Sequence, residues 1–204
     1  MRKFSFIVLA IALVFGLAFV SCDNDTTSSG NTPGGNTPGG QTPGGGSVDP
    51  ALNGTWVNND LAVSYLFNNG IYERKTSGVV FTSTGKRSGD IHTRGTYTTE
   101  PVGNDYSTGR LIMKFMLTTT DIYFTSAFAD FWNTNAVGWV NRSQFIEIVQ
   151  YYNDAGVDDI GIDYALDLFG FNGGLVYNYY FENLGGSVIL YVNLGGSWFA
   201  HTRQ

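Results

Sequence analysis

Residues 183–196 read Asn183-Leu184-Gly185-Gly186-Ser187-Val188-Ile189-Leu190-Tyr191-Val192-Asn193-Leu194-Gly195-Gly196. The four-residue group Asn-Leu-Gly-Gly recurs after ten positions, with an apolar run between the copies. Ten residues is the spacing of adjacent meander strands joined by tight turns, and Asn and Gly supply the positive φ such turns need. Three strands are therefore predicted, over 175–181, 188–192 and 198–202. The duplication is local, so it marks a meander and not a solenoid.

The same grammar extends toward the N-terminus. Leu52-Asn53-Gly54-Thr55-Trp56 opens a first short run, followed by runs at 62–67, 71–75 and 79–83. Asn68-Asn69-Gly70 is a hairpin turn between two of them, and residues 85–89 form a polar turn. Over 91–99 the chain alternates strictly. Ile91, Thr93, Gly95 and Tyr97 share one face, while His92, Arg94, Thr96 and Thr98 share the other. Residues 101–108 read as a loop. Leu111, Met113, Phe115 and Leu117 line one face of a further strand, and 122–125 reads as another.

The pattern then changes. Residues 127–140 are aromatic with no clear period. Phe145, Ile148, Val149 and Tyr152 stand at i, i+3, i+4 and i+7, one face of a helix that Asn141 or Ser143 would cap and Gly156 would end. Ile162, Ala165, Leu166 and Phe169 repeat that pattern, with Asp158 as a candidate cap, Gly170 as the stop, and Asp159, Asp163 and Asp167 on the outer face. The prediction is a mainly β domain over 51–204, with two short helices inserted before the last three strands.

Composition sets further bounds. The chain has 204 residues, 15% of them aromatic, with 27 Gly and one Cys. With 11 Lys+Arg against 17 Asp+Glu it is acidic, and beyond Thr125 only Arg142 and Arg203 are basic. Such a surface disfavours nucleic acid, whose binding is driven by neutralising phosphates. The N-terminus has its own logic. Met1-Arg2-Lys3 precedes an apolar run over 4–20, and the only cysteine, Cys22, follows Ser21. A basic start, an apolar core and small residues at a cut describe a signal peptide. Residues 23–50 then repeat Asn-Thr-Pro-Gly-Gly and its variants. So little of that segment can be buried that ordering it has no return. It reads as a tether with a reach of roughly 30 Å.

Two resemblances follow from these residues. Ser21-Cys22 after the apolar core resembles the bacterial lipobox, with Phe19 where leucine is usual. It implies a signal peptide over 1–21, diacylglyceryl and further acylation at Cys22, and export to the cell envelope, at the outer membrane or cell surface rather than the inner membrane. Two other readings are an ordinary signal peptide with a free thiol and an uncleaved membrane helix; neither accounts for the sole cysteine lying at the cut. Gly54-Thr55-Trp56, Asn69-Gly70-Ile71-Tyr72, Arg94-Gly95-Thr96-Tyr97 and the terminal His201-Thr202-Arg203-Gln204 together resemble bacterial lipocalin-like domains. The likeness covers about two-thirds of the domain. It implies an antiparallel up-and-down barrel of about 8–10 strands in which Trp56 and Arg203 pair across the floor by a cation–π contact. It also implies a small apolar ligand, for which Tyr97, Phe115, Tyr177, Tyr179 and Tyr191 are candidate lining residues. The alternative is a barrel filled by its own side chains that serves as a surface interaction module for a protein partner.

Catalytic and metal patterns are not found in the sequence. His92 and His201 lack a third ligand at useful spacing, no Gly-x-Ser-x-Gly turn occurs, and Asp154, Asp158, Asp159, Asp163 and Asp167 do not match a calcium loop. No cofactor is expected. Lipidation carries a direct test: Cys22→Ala in the full chain, expressed in a bacterial host, should move the protein from the detergent phase to the aqueous phase on Triton X-114 partitioning. An unchanged partition would remove the lipid from the account.

Overall fold

The computed structural model describes residues 47–81, 87–156 and 159–204. The signal peptide, Cys22, the tether up to residue 46, residues 85 and 86 of the turn expected at 85–89 and the candidate cap Asp158 lie outside those residues, while 87–89 are strand. The described chain forms nine strands and three short helices. They are β1 (Gly54–Asn58), β2 (Val63–Asn68), β3 (Ile71–Phe81), β4 (Arg87–Asn104), β5 (Leu111–Phe124), α1 (Ser126–Phe131), β6 (Gly138–Asn141), α2 (Arg142–Asp154), α3 (Ile162–Leu168), β7 (Leu175–Leu184), β8 (Ser187–Leu194) and β9 (Ser197–Arg203).

All pairings are antiparallel, and eight strands close into a barrel in the order β1-β2-β3-β4-β5-β7-β8-β9 and back to β1. The ninth, β6, lies outside the ring. The predicted fold class holds: a mainly β, up-and-down antiparallel barrel with helices placed before the last three strands. The repeat at 183–196 forms the two hairpins that were read from it. Gly185 and Gly186, like Gly195 and Gly196, take φ of 60° and 87°, so each pair forms a two-residue turn of the primed type that matches strand twist.

β5 explains how the helices attach. Its first half, Met113 to Leu117, pairs with β7, and its second half, Asp121 to Phe124, pairs with β6. The sequence reading divides it into two strands at 118–121, but Thr118, Thr119 and Thr120 are β-branched and carry the strand straight through. Beyond the ring, the far parts of β3, β4 and β5 make a wall with β6. Helices α1, α2 and α3 pack on that wall around Phe124, Phe128, Trp132, Phe145 and Phe169, all at most 2% exposed. The barrel interior is a separate core around Trp56, Tyr65, Phe67, Tyr97 and Phe115.

Three local expectations change. Helix α1 falls in the stretch that showed no period: six residues are too few to display one, yet Thr125 caps it by accepting from the Phe128 amide at 3.2 Å. The expected loop at 101–108 is mostly strand, since β4 runs to Asn104. Pro101 is tolerated there because β3 no longer pairs with this part of β4, so no ladder hydrogen bond is lost on that side. Residues 47–49, read as tether, are bonded to the barrel: Thr99 N–H donates to the Ser47 carbonyl at 2.7 Å. Helix α2 starts at Asn141, which forms a capping box with Gln144. Asp159, Asp163 and Asp167 are exposed beside α3 or along it.

Gly95 sits at a register shift of β4 against β5. A Cβ placed there would come within 2.0 Å of the Thr118 carbonyl oxygen and 2.9 Å of the Thr120 nitrogen, both main-chain atoms. Gly95→Ala should therefore destabilise the protein by about 3 kcal/mol or more in urea unfolding. Thr96→Ala, on the outer face one residue on, should change it by under about 0.5 kcal/mol. Equal effects would mean that the backbone approach is not limiting.

Candidate functional site: the barrel interior and its end cleft

One end of the barrel is closed by the chain that enters it. The 3-10 turn Pro50–Leu52 is capped by Asp49, which accepts from the Ala51 amide at 2.9 Å. The turn drives Leu52 into full burial beneath Trp56. The Trp56 indole N–H donates to the Leu52 carbonyl at 2.6 Å. Arg203 lies across from Trp56 in the β1–β9 register, with its guanidinium 5.6 Å from the ring centroid. The Arg203 Nη2 donates to the Asn53 carbonyl at 2.6 Å. Trp56 and Arg203 thus meet at the floor. Tyr179 completes this end by donating to Asp49 Oδ2 at 2.8 Å. Burial, followed by the adjacent Asp49 carboxylate, raises its hydroxyl pKa well above the usual phenol range.

The middle of the barrel is filled with rings. Phe115 is fully buried, and its centroid lies 5.3–6.0 Å from those of Phe67, Tyr65, Tyr177 and Tyr179. Tyr97 packs edge-on to Phe67 at 4.8 Å. Of the five candidate lining residues, Tyr97, Phe115, Tyr177 and Tyr179 share this interior. Tyr191 does not. Leu190 and Val192 take the inward positions of β8, so alternation sends Tyr191 outside. There it stacks on Tyr180, with centroids 4.8 Å apart and planes 10° apart.

A polar group lies inside this aromatic core. Tyr65, Arg74 and Thr93 are direct neighbours across β2, β3 and β4 and all face inward, at 0%, 4% and 3% exposure. Arg74 Nη1 donates to the Tyr177 hydroxyl at 3.3 Å, and its guanidinium lies 5.9 Å and 5.8 Å from the ring centroids of Tyr65 and Tyr177. Tyr72 bonds to Thr119 at 2.7 Å, and Thr119 donates to the Phe169 carbonyl at 2.5 Å, tying the barrel to the helical layer. His201, fully buried on β9, packs 5.5 Å from Tyr65. The sequence reading missed Arg74. Its signal was parity: Arg74 shares a strand face with Tyr72 and Thr76, while Glu73 and Lys75 take the other.

Among the described residues a cleft of about 480 Å³ lies at the end crossed by the N-terminal segment. Val48, Leu111, Met113 and Phe181 supply its apolar wall, and Ser47, Asp49, Thr99 and Arg110 its polar edge. Arg110 pairs with Glu182 and sits 4.9 Å over Tyr180, so its charge is held at the rim. Outside the rim, Trp198 packs edge-on against Tyr180 at 4.8 Å and is 39% exposed.

Among the described residues no cluster of three or more His, Cys, Asp or Glu side chains could hold a metal ion. Among the same residues no helix is long and apolar enough to cross a membrane. No protein-family model, curated protein or solved structure matches this chain.

Burial pulls the His201 imidazole down to about 4, while the carbonyls of Phe199 and Leu190 oppose the shift. The unfolded chain therefore takes up a proton near pH 6.5 that the folded barrel refuses. The His201 contribution is complete above that pH and is lost as pH falls from 6.5 toward 4. It amounts to roughly 3 kcal/mol over that window. His201→Gln should flatten the stability–pH slope between pH 7 and 4.5, read by urea unfolding. A slope unchanged from wild type would place the acid sensitivity elsewhere.

Proposed function

We propose that the protein is an exported, lipid-anchored β-barrel module that binds a small apolar ligand, and that the ligand sits in the end cleft and not at the barrel centre. The cleft carries this reading. Its volume of about 480 Å³ falls in the range of small-molecule sites, and an apolar wall with a few polar groups at the edge is their usual make-up. Phe115 and its four ring neighbours occupy the centre, where barrels of this size otherwise keep a ligand. The likeness to lipocalin-like domains supports a binding role by analogy of fold alone. The lipobox-like Cys22 supports attachment to the membrane, at the outer membrane or cell surface. The acidic composition argues against a nucleic-acid partner.

A second reading has its own observation. Trp198 is exposed beside the Tyr180–Tyr191 stack on the outer wall, and aromatic residues of this kind are enriched at protein interfaces. On that reading the filled barrel serves as a rigid stand for a surface contact.

The two separate by mutation. The uncharged probe N-phenyl-1-naphthylamine should gain fluorescence on binding, and Met113→Trp, which fills the cleft, should weaken that binding by about tenfold, roughly 1.4 kcal/mol. Trp198→Ala should leave probe binding unchanged. Probe binding that ignores Met113→Trp would defeat the cleft reading.

A further inference from the structure

One wall of the cleft is not part of the barrel. Thr99, Met113 and Phe181 line it from β4, β5 and β7, but Ser47, Val48 and Asp49 line it from the segment that enters the barrel end. That segment is a strap anchored firmly on one side only. Downstream, Leu52 is fully buried and its carbonyl takes the Trp56 indole N–H at 2.6 Å. Upstream stand Gly44, Gly45 and Gly46, which carry no side chain to anchor.

Between those ends the strap is held at two places. The Thr99 amide donates to the Ser47 carbonyl at 2.7 Å, and Ser47 Oγ donates to the Thr99 carbonyl at 2.6 Å. Asp49 Oδ2 accepts from the Tyr179 hydroxyl at 2.8 Å. Val48, between them, packs on the barrel interior as Met113 and Phe181 do, so the apolar wall of the cleft is complete only with the strap in place. Ordering three residues costs conformational entropy of the same order as the net worth of a few hydrogen bonds. Docking of the strap is therefore a near-balanced equilibrium. Tyr179 has a distinct place in it. The residue is fully buried and does not line the cleft. Its hydroxyl acts there through Asp49 and lies beside Thr99, the other anchor.

We propose that Tyr179 is a positioning residue for the ligand of the cleft: it holds the strap at Asp49, the docked strap supplies the Val48 side of the site, and ligand binding and strap docking strengthen each other. The inference rests on the cleft reading and names what regulates that site. Reciprocity follows from linkage, because a ligand touching both strap and barrel favours the docked state by as much as docking favours the ligand. Whatever draws residues 47–49 off the barrel thereby releases the ligand, and an occupied cleft holds Ser47 against β4. A purely structural role for Tyr179 is the competing reading, since its ring packs 5.4 Å from that of Phe115 and 5.6 Å from that of Phe181. Tyr179→Phe keeps the ring and removes only the hydroxyl, which separates the two.

The test uses the full chain carrying Cys22→Ala, so that engineered cysteines are its only thiols. N-phenyl-1-naphthylamine is the probe, and titrations of Met113→Trp set the background. Tyr179→Phe should raise the Kd of the probe by about fivefold, because apparent affinity falls with the fraction of chains whose site is complete. Ser47 and Thr99 face each other as an antiparallel bridge, a spacing that a disulfide spans. Ser47→Cys with Thr99→Cys, added to Tyr179→Phe, should bring the Kd back to within about twofold of the parent when oxidised and lose it again on reduction. Hydrogen exchange reads the reciprocal effect. The probe should slow exchange of the Thr99 amide and leave that of the Gln204 amide, on the β1–β9 junction, unchanged; Tyr179→Phe should speed exchange at Thr99. A Kd that Tyr179→Phe leaves unchanged, a loss that oxidation does not restore, or Thr99 exchange indifferent to the probe overturns the proposal while Met113→Trp still reports the cleft. Equal probe binding by the parent and Met113→Trp removes the cleft reading and the proposal with it.

Discussion

The barrel depends on a short seam. Seven of its eight strand junctions join strands that are neighbours in the sequence or are separated only by the helical excursion. The eighth must bring the first strand to the last. It rests on the register Trp56↔Arg203 and Val57↔Thr202, the Gln204 amide to the Thr55 carbonyl at 3.0 Å, and Asn58 Nδ2 to the Ala200 carbonyl at 2.9 Å. An unpaired sheet edge invites pairing with other chains, and closure removes both edges at once. The cost of bringing distant segments together falls on these few bonds. That explains why the bulkiest contact of the floor, the Trp56 indole under Leu52 and beside Arg203, sits on the seam itself. Packing there locks a junction that backbone pairing alone would hold weakly.

Two cores share one sheet. β5 serves both because it changes partner halfway, from β7 inside the ring to β6 outside it. The lumen is thereby left to residues of the strands, and the helices bury their apolar faces against the wall beyond. Tyr72, Thr119 and the Phe169 carbonyl form the polar stitch between the two, so a shift of α3 would be felt inside the barrel. Larger barrels keep a central void; here the rings meet across the centre, and a cleft opens at the end.

Much of this was legible. Strands announce themselves through alternation and through Gly-rich turns, as at 91–99 and 183–196, because side chains on a strand have a fixed period of two. Helices α2 and α3 were visible because each carries two turns of apolar spacing. Helix α1 was not, since one and a half turns set no period. β5 was cut in two because Thr118 to Asp121 look like a turn by polarity, although threonine is a strand former by shape. Tyr191 lies outside the lining set because Leu190 and Val192 take the inward parity of β8, which aromatic character alone does not reveal. Arg74 was overlooked for the opposite reason. Arginine is almost never fully buried, so composition argues against it where parity argues for it, and only the closed ring shows which argument wins.

The entry of the chain at Ser47 has a mechanical meaning. Any pull from the preceding residues reaches the barrel first through Ser47 and Asp49. Ser47 meets Thr99 by its carbonyl and by its hydroxyl, the latter at 2.6 Å, and Asp49 holds the Tyr179 hydroxyl. This is a small latch on the β4 rim, away from the β1–β9 seam. A load applied at Ser47 would meet these bonds before it reached Trp56 and the closure of the barrel.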